Sequence, residues 1–174
     1  GEIAKQILRL RLSTIYSCES NLISLLPSGM AALFTSLEAI TKLNPNRPYL
    51  QLGFPYVDVL KLPQVIFHGG ILIEDTNYNS IEKQLDRYKP AAIIIEIPSN
   101  PILKCIDLIN ISKLANERGI LVIVDDTIGS PINIDITPYA DIIFSSLTKS
   151  FAGRGDIMAG SLVISPTSKF KKDI

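Results

Sequence analysis

The sequence has no tryptophan, one histidine and two cysteines, so it has few residues for a metal site or a disulfide framework. Cys18 and Cys105 lie far apart and share no paired spacing. Such cysteines are typical of reduced thiols inside a cell, and we predict a cytoplasmic protein. Only His68 could join them as a metal ligand, and we predict no metal site.

An excess of charge and long apolar runs are also missing. The 17 Lys and Arg residues balance 17 Asp and Glu residues. No basic cluster lies along one predicted face, which argues against a nucleic-acid partner. No apolar stretch reaches the roughly 20 residues that a membrane-spanning helix needs. The first residues lack the order of a signal peptide. We therefore predict neither a nucleic-acid partner nor a membrane partner.

The 174 residues, 47% of them hydrophobic, are enough for one domain with a sizeable core. From Ser28 onward, apolar runs of strand length alternate with segments of helical period. This alternation predicts the α/β class, with three layers and a mainly parallel sheet flanked by helices. The predicted strands are 49–53, 71–73, 91–97, 120–124, 140–145 and 161–165, with 91–97 central because it is almost unbroken in its apolar character.

Helices are predicted between these strands from their capping signals. Ser28 opens a helix over 29–42, and Ser80 caps one over 81–88. Asp107 or Asn110 begins a helix that runs to 118, and Gly119 closes it. A further helix is predicted over 56–65, and an amphipathic one over 2–16. We take residues 1–27 as an N-terminal helical segment. Because the first residue is not methionine and 169–174 end without a finished element, we expect a longer natural polypeptide.

Polar residues follow three of the predicted strands, at 98–101, 125–127 and 146–149. In parallel α/β sheets, ligands collect beyond the carboxyl ends of the strands, so one crevice could gather these residues. Lys149 lies there among hydroxyls and small residues, and Asp125 ends another strand. An amine and a carboxylate together are what a pyridoxal 5'-phosphate (PLP) site needs. A lone lysine after a strand is usually a solvated surface residue, so its role depends on these partners.

Four motifs occur in order along the chain: SGMAA at 28–32, EIPSNPILKCID at 96–107, VDDTIGSP at 124–131 and SSLTKSFAGRGDIMAG at 145–160. Together they resemble the Cys/Met-metabolism family of PLP-dependent enzymes, which includes cystathionine γ-synthase, cystathionine γ-lyase and homoserine sulfhydrylases. Tyr56-Val57-Asp58, and Ala4-Lys5 with Arg9 and Arg11, look more like the divergent cystathionine γ-synthase-like branch of fungi.

The resemblance implies PLP as the cofactor and assigns catalytic roles to Lys149 and Tyr56. Lys149 would be the Schiff-base lysine and would carry protons between substrate carbons. Asp125 would pair with the pyridine nitrogen, and the Tyr56 ring would stack on the cofactor. A core tyrosine is an equally good interpretation of Tyr56, and a helix cap or strand end is the alternative for Asp125.

The remaining predicted cofactor contacts surround the phosphate and the phenolic oxygen. Gly29 and Met30 would donate backbone N–H groups to the phosphate, where a helix N-terminus favours an anion. Ser146 and Thr148 would add hydroxyl donors, and Asn100 would hydrogen-bond the phenolic oxygen. Each of these residues alone is also an ordinary capping or turn residue.

By the same resemblance, residues 1–174 are part of the large PLP-binding domain of a fold type I enzyme, without its C-terminal small domain. The implied function is transsulfuration, with cystathionine γ-synthase-type γ-replacement on an activated homoserine ester by cysteine placed first. Cystathionine or methionine γ-lyase and homoserine sulfhydrylase are alternatives. The implied partners are an amino-acid substrate and further copies in a homodimer or homotetramer.

Two arginine-bearing elements of the family are not visible in the sequence, a Tyr-x-Arg element for a neighbouring subunit's phosphate and an arginine for the substrate carboxylate. A non-catalytic PLP-binding fragment or remnant is therefore a further alternative. A dinucleotide-binding domain is disfavoured because no G-x-G-x-x-G motif follows an early strand.

Overall fold

The computed structural model describes residues 1–67 and 69–174. His68, considered above as a metal ligand, lies outside the described residues. Helices α1 to α6 are Glu2–Tyr16, Gly29–Leu43, Val57–Ile66, Tyr78–Tyr88, Leu108–Glu117 and Ser130–Asn133. Strands β1 to β7 are Ile23–Leu26, Tyr49–Leu52, Gly70–Ile73, Ala92–Glu96, Leu121–Asp125, Ile142–Ser146 and Gly160–Ile164. Single 3-10 turns occur at Ser20–Leu22 and Thr137–Tyr139.

The strands form one mixed sheet in the order β1-β7-β6-β5-β4-β2-β3. Strands β3, β2, β4, β5 and β6 are parallel to one another, whereas β7 runs antiparallel to both β6 and β1. The parallel part places the carboxyl ends of β4, β5 and β6 at one edge, where ligands collect in such sheets. This confirms the predicted α/β class with a mainly parallel sheet.

Helices cover both faces of the sheet, which gives three layers. On one face, α1, α4 and α5 contribute Leu12, Leu85 and Ile111 to a core with the side chains of alternate strand residues. On the other face, α2 and α3 contribute Leu37 and Val59 to a second core. Every residue of β4 and β5 is buried, because a strand covered on both faces can be apolar at each position. The predicted strand 91–97 is thus an interior strand.

The predicted helical segment 1–27 is wrong over its last part. Helix α1 ends at Tyr16 with Ser17 in the left-handed conformation, and Ile23–Leu26 form strand β1. This strand pairs with β7, whose residues lie more than a hundred positions away in the sequence. Pairing at that distance leaves no local signal, so a four-residue apolar run gave no reason to predict a strand there.

Two predicted helix starts are settled by the structure. Ser80 does not cap α4, because the helix begins at Tyr78 after Asn77, whose backbone N–H donates to Asp75 Oδ1 at 3.1 Å. That short Asx turn sets the chain direction before Ser80 is reached. Of the two candidates for the next helix, Asp107 is the cap, since its carboxylate accepts from the Asn110 N–H at 3.2 Å.

Candidate active site

The site is built at the carboxyl edge of β4, β5 and β6, on the sheet face that α2 covers. Glu96 and Asp125 are directly paired residues at the ends of β4 and β5. Ser146 ends β6 and faces the same side as Phe144, which pairs with Asp125. Because residues in register on parallel strands point to the same face, these three side chains share one face of the sheet. The carboxyl ends of the three strands thus lie at one edge of the sheet, while a single crevice that gathers residues 98–101, 125–127 and 146–149 stays a prediction.

Asp125 is only 6% exposed, and its carboxylate is only partly satisfied by the protein. Its Oδ1 accepts hydrogen bonds from the Thr127 backbone N–H at 3.0 Å and from the Thr127 hydroxyl at 2.6 Å. Its Oδ2 has no hydrogen-bond partner among the described residues. Burial raises the pKa of Asp125 to about 6, and the two bonds from Thr127 partly oppose that rise. A cation or a proton donor placed at Oδ2 would lower this pKa again.

Thr127 also joins the two strands that carry the site. Its hydroxyl accepts a hydrogen bond from the Ser146 backbone N–H at 2.9 Å while it donates to Asp125. A chain of hydrogen bonds therefore runs from the end of β6 to the carboxylate of β5. This fixes the rotamer of Asp125, which matters for any group that must meet Oδ2.

The N-terminus of α2 is packed tightly against the ends of β6 and β7. Ser28 caps the helix, since its hydroxyl accepts from the Ala31 N–H at 3.1 Å. A Cβ at Gly29 would lie 3.0 Å from the Ser146 Cα, and one at Gly160 would lie 2.1 Å from the Ser28 oxygen. Only glycine permits the approach at Gly160, and a side chain at Gly29 would crowd Ser146, so the start of α2 lies close to Ser146. Such a helix N-terminus favours an anion.

Lys149 lies in the turn that follows β6. Its backbone N–H donates to Ser146 O at 3.1 Å, and its carbonyl accepts from the Gly153 N–H at 2.9 Å. The side chain is exposed and forms neither a salt bridge nor a hydrogen bond with any described residue. The structure therefore leaves this amine free of polar partners among the described residues.

The Thr148 hydroxyl is already engaged by the backbone. It accepts from the Ala159 N–H at 3.1 Å and lies 3.3 Å from the Ala159 carbonyl oxygen, to which it donates. To donate to a phosphate it would have to give up the longer of these bonds. Ser146 has no such competing partner for its hydroxyl among the described residues, so it is the better hydroxyl donor of the predicted pair.

Tyr56 and Asn100 lie on the loops that follow β2 and β4. Tyr56 is the N-cap residue of α3, and its side chain is 45% exposed. A hydrogen bond to Asp58, together with the charge of that carboxylate, raises the pKa of the Tyr56 hydroxyl. Asn100 is exposed as well. Neither side chain is held by the core, and the alternative of a core tyrosine does not fit Tyr56.

Two further buried acids lie beside Asp125, and the sequence assigns neither of them a clear role. Asp126 faces the opposite side of the sheet, where the Tyr16 hydroxyl donates to its Oδ2 at 2.7 Å. Burial raises the pKa of Asp126 to about 7, and the charge on Asp125 adds to that rise. Glu96 accepts the Tyr56 backbone N–H at 2.8 Å. No sequence signal links Tyr16 to Asp126, whereas Glu96 stands inside a recognised motif.

A cavity lies on the α1 face of the sheet, opposite the face that carries Asp125. It has a volume of about 530 Å³ and includes Tyr16, Thr127, Ser145 and Phe151 in its lining. No helix among residues 1–67 and 69–174 is long and apolar enough to cross a bilayer. Within the same ranges, no group of three or more His, Cys, Asp and Glu side chains is arranged to hold a metal ion.

The fold is shared with solved enzymes of a known class. The structure of cystathionine γ-synthase from Xanthomonas oryzae pv. oryzae, in complex with aminoacrylate and cysteine, superposes with a TM-score of 0.86 and 25% sequence identity. The match covers 99% of this chain and 44% of that one. The mixed sheet with its strand-end site is therefore the fold of PLP-dependent fold type I enzymes, as the sequence predicts.

Residues 2–174 match the family model described as Cys/Met metabolism PLP-dependent enzyme. The chain belongs to this family, and the prediction of its family and of PLP as the family's cofactor is confirmed.

Curated fungal relatives agree with this membership. Cystathionine γ-synthase of Saccharomyces cerevisiae is 35% identical over 167 residues, which cover 83% of this chain and 26% of that protein. An alanine racemase of Aspergillus violaceofuscus is 36% identical over 154 residues, covering 82% of this chain and 26% of that protein. The chain spans about a quarter of the length of these relatives. Similar identity to proteins of two activities shows that identity alone does not select the reaction.

Proposed function

We propose that this chain supplies PLP-binding groups to a transsulfuration enzyme that joins an activated homoserine ester to cysteine by γ-replacement. Cysteine would displace the ester group at the γ carbon, and the product would be cystathionine. Family membership and the similarity to cystathionine γ-synthases support the reaction class. The single observation that carries the proposal is the buried, half-satisfied Asp125 carboxylate beside a glycine-opened helix N-terminus and the amine of Lys149.

The residues present fit the cofactor. The Oδ2 of Asp125 needs a donor or cation, and a protonated pyridine nitrogen is such a group. The Gly29 and Met30 N–H groups with the Ser146 hydroxyl form a donor set for a phosphate dianion. PLP, when bound, supplies an electron sink for a substrate carbanion.

The chain's own residues would divide the work by position. Asp125 would keep the ring nitrogen protonated, which a buried carboxylate held by Thr127 does without having to reorient. Lys149 Nζ would attach the cofactor and, once released, move protons at the substrate carbons. Asn100 would hydrogen-bond the phenolic oxygen of the cofactor, and the Tyr56 ring would cover the face of the cofactor ring. Thr148 would hold Ala159, and through it the turn that carries Lys149.

The remaining features of the working protein follow from the same proposal. An amino acid would be the small-molecule substrate, and the enzyme would act in the cytoplasm as a homodimer or homotetramer. The arginines that bind the substrate carboxylate in this family would come from outside the 174 residues.

Product analysis of the complete polypeptide tests the reaction. The enzyme loaded with PLP would be given an activated homoserine ester with cysteine, with sulfide or with no acceptor. When cysteine is the acceptor, we expect cystathionine to be the main product. Release of 2-oxobutyrate without an acceptor would instead identify a γ-lyase, and preference for sulfide a sulfhydrylase. Racemisation of alanine supplied in a parallel assay without turnover of the ester, or PLP bound without any product, would contradict the proposal.

A further inference from the structure

Glu96 connects two loops that carry predicted cofactor contacts. It is the last residue of β4 and is 8% exposed. Its Oε2 accepts the backbone N–H of Tyr56 at 2.8 Å, from the loop that follows β2. The backbone N–H of Asn100, from the loop that follows β4, lies close enough to the same carboxylate to lower its pKa, but it makes no hydrogen bond to it. The carboxylate thus reaches both loops without touching either functional side chain.

The loop that carries Tyr56 has few other hydrogen bonds to hold it, whereas the loop that carries Asn100 is also braced by bonds between Ser99 and Lys104. Tyr56 precedes α3, so its N–H lies outside the hydrogen bonds of that helix, and its side chain is 45% exposed. Asn100 is exposed. The position of the Tyr56 ring is therefore set by its backbone, and that backbone is tied to Glu96.

The environment of the Glu96 carboxyl group favours hydrogen bonds from neighbouring N–H groups. Burial raises the pKa of its carboxyl group to about 7, the Asp125 charge adds to the rise, and the Tyr56 N–H opposes it. A buried acid placed beside another acid is unfavourable unless its oxygens accept hydrogen bonds. An oxygen of the Glu96 carboxyl group can accept the Tyr56 N–H whether the carboxyl group is protonated or ionised. The hydrogen bond to Tyr56 therefore does not need the charge.

We propose that Glu96 is a positioning residue of the cofactor site, whose carboxylate holds the Tyr56 and Asn100 loops against the strand that carries Asp125. This proposal deepens the proposed function and depends on it. Glu96 would not react. It would set where the Tyr56 ring and the Asn100 amide stand when the cofactor is bound.

The test uses the complete enzyme and two substitutions of different severity. Glu96→Ala removes the acceptor, whereas Glu96→Gln keeps an oxygen for the Tyr56 N–H. We expect Glu96→Ala to weaken PLP binding about tenfold and to change the circular dichroism of the bound cofactor, which reports its orientation. Glu96→Gln should restore most of both. The matched control is Glu74→Gln, since Glu74 lines the same small cavity beside Glu96 and makes no hydrogen bond to either loop.

A second pair of variants covers the case in which Glu96→Ala does not fold. Tyr56 has φ −54°, which proline adopts without strain. Tyr56→Pro and Tyr56→Ala both lose the ring, but only the proline variant also loses the N–H that Glu96 accepts. We expect PLP to bind the proline variant several-fold more weakly than the alanine variant.

Equal binding by these two variants, or a cofactor signal in Glu96→Ala that matches the wild type, would overturn the proposal. Failure of the wild-type enzyme to bind PLP would instead overturn the proposed function.

Discussion

At the scale of single residues, the buried carboxylate of Asp125 costs the cofactor-free protein folding free energy. An acid whose pKa is raised in the folded state holds its proton more tightly there than in the unfolded chain. Its contribution to stability is therefore lost as the pH rises from its ordinary value of 3.8 to about 6. The cofactor would reverse that loss, because a cation at Oδ2 favours the ionised form. In the proposed site, the same residue would thus destabilise the cofactor-free protein and stabilise the PLP-loaded one.

We predict that Asp125→Asn stabilises the cofactor-free protein above pH 7 by about 1 to 3 kcal/mol. The asparagine oxygen can still accept both hydrogen bonds from Thr127, while the buried charge is gone. Below pH 4 the difference should vanish, since the wild-type group is then protonated. Urea unfolding across this pH range measures it, with the exposed Asp173→Asn as control. An unchanged stability at pH 7.5 would contradict the assignment of Asp125 as an unpaired buried acid.

In the loaded enzyme the same position should have the opposite effect. Asp125→Ala would remove the proposed partner of the ring nitrogen, and we predict a loss of turnover of roughly a hundredfold or more, which corresponds to at least about 2.7 kcal/mol. Steady-state kinetics of the complete polypeptide, saturated with PLP, measures this loss. Turnover within a few-fold of the wild type would remove Asp125 from the mechanism.

At the scale of elements, two close contacts attach helices to the sheet at the site. Helix α2 meets β7 where Gly160 faces the Ser28 backbone, and helix α1 is bound through the Tyr16 hydroxyl to Asp126. The first contact sets the position of the N-terminus proposed to hold a phosphate. The second connects α1 to the residue next to Asp125. Both connections act through backbone or buried groups, so they leave little freedom to adjust.

Gly160→Ala should destabilise the protein by about 3 kcal/mol, because its Cβ would lie 2.1 Å from a backbone oxygen that cannot rotate away. Gly155→Ala is the matched control, since a Cβ there meets nothing within 4 Å. Chemical denaturation of both variants gives the comparison. The affinity for PLP of the folded fraction should also fall in Gly160→Ala only. Equal stabilities would show that α2 is free to move away from β7.

Tyr16→Phe should cost about 1 to 3 kcal/mol of folding free energy, because it leaves a buried carboxylate without its hydroxyl donor. The loss should be larger above pH 7, where Asp126 is ionised, since a hydrogen bond to a charged oxygen is the stronger kind. Tyr88→Phe is the control, because no described residue bonds to the Tyr88 hydroxyl. A loss that is the same at pH 5 and pH 8 would mean that Asp126 does not titrate in this range.

The elements that could be predicted from the sequence are those with local signals. The cap at Ser28, the stop at Gly119 and the apolar run of 91–97 each depend on neighbouring residues, and the structure has them all. Strand β1 depends instead on pairing with β7, and the Tyr16–Asp126 contact joins residues 110 positions apart. Nothing in the local sequence reports such contacts. Most of the candidate site was predicted from motif resemblance. Motifs shared with a family indicate which distant residues lie together in the fold, and periodicity does not.

At the scale of the whole molecule, the sheet gathers residues from positions 28 to 160 at one edge. The five parallel strands place Glu96, Asp125 and Ser146 there. The antiparallel β7 contacts the N-terminus of α2 through Gly160 and Ser28. A ligand that bound all these elements would stabilise the entire fold, because it binds only when they are together. The proposed PLP site is therefore the whole edge rather than any one residue.

Covalent labelling tests this central claim most directly. The complete polypeptide would be incubated with PLP, reduced with borohydride, digested and analysed by mass spectrometry. The account predicts that the reduced cofactor is found on the peptide that contains Lys149, and that Lys149→Ala abolishes it. Labelling spread evenly over exposed lysines such as Lys113 and Lys171, or an unlabelled Lys149 peptide, would contradict the account.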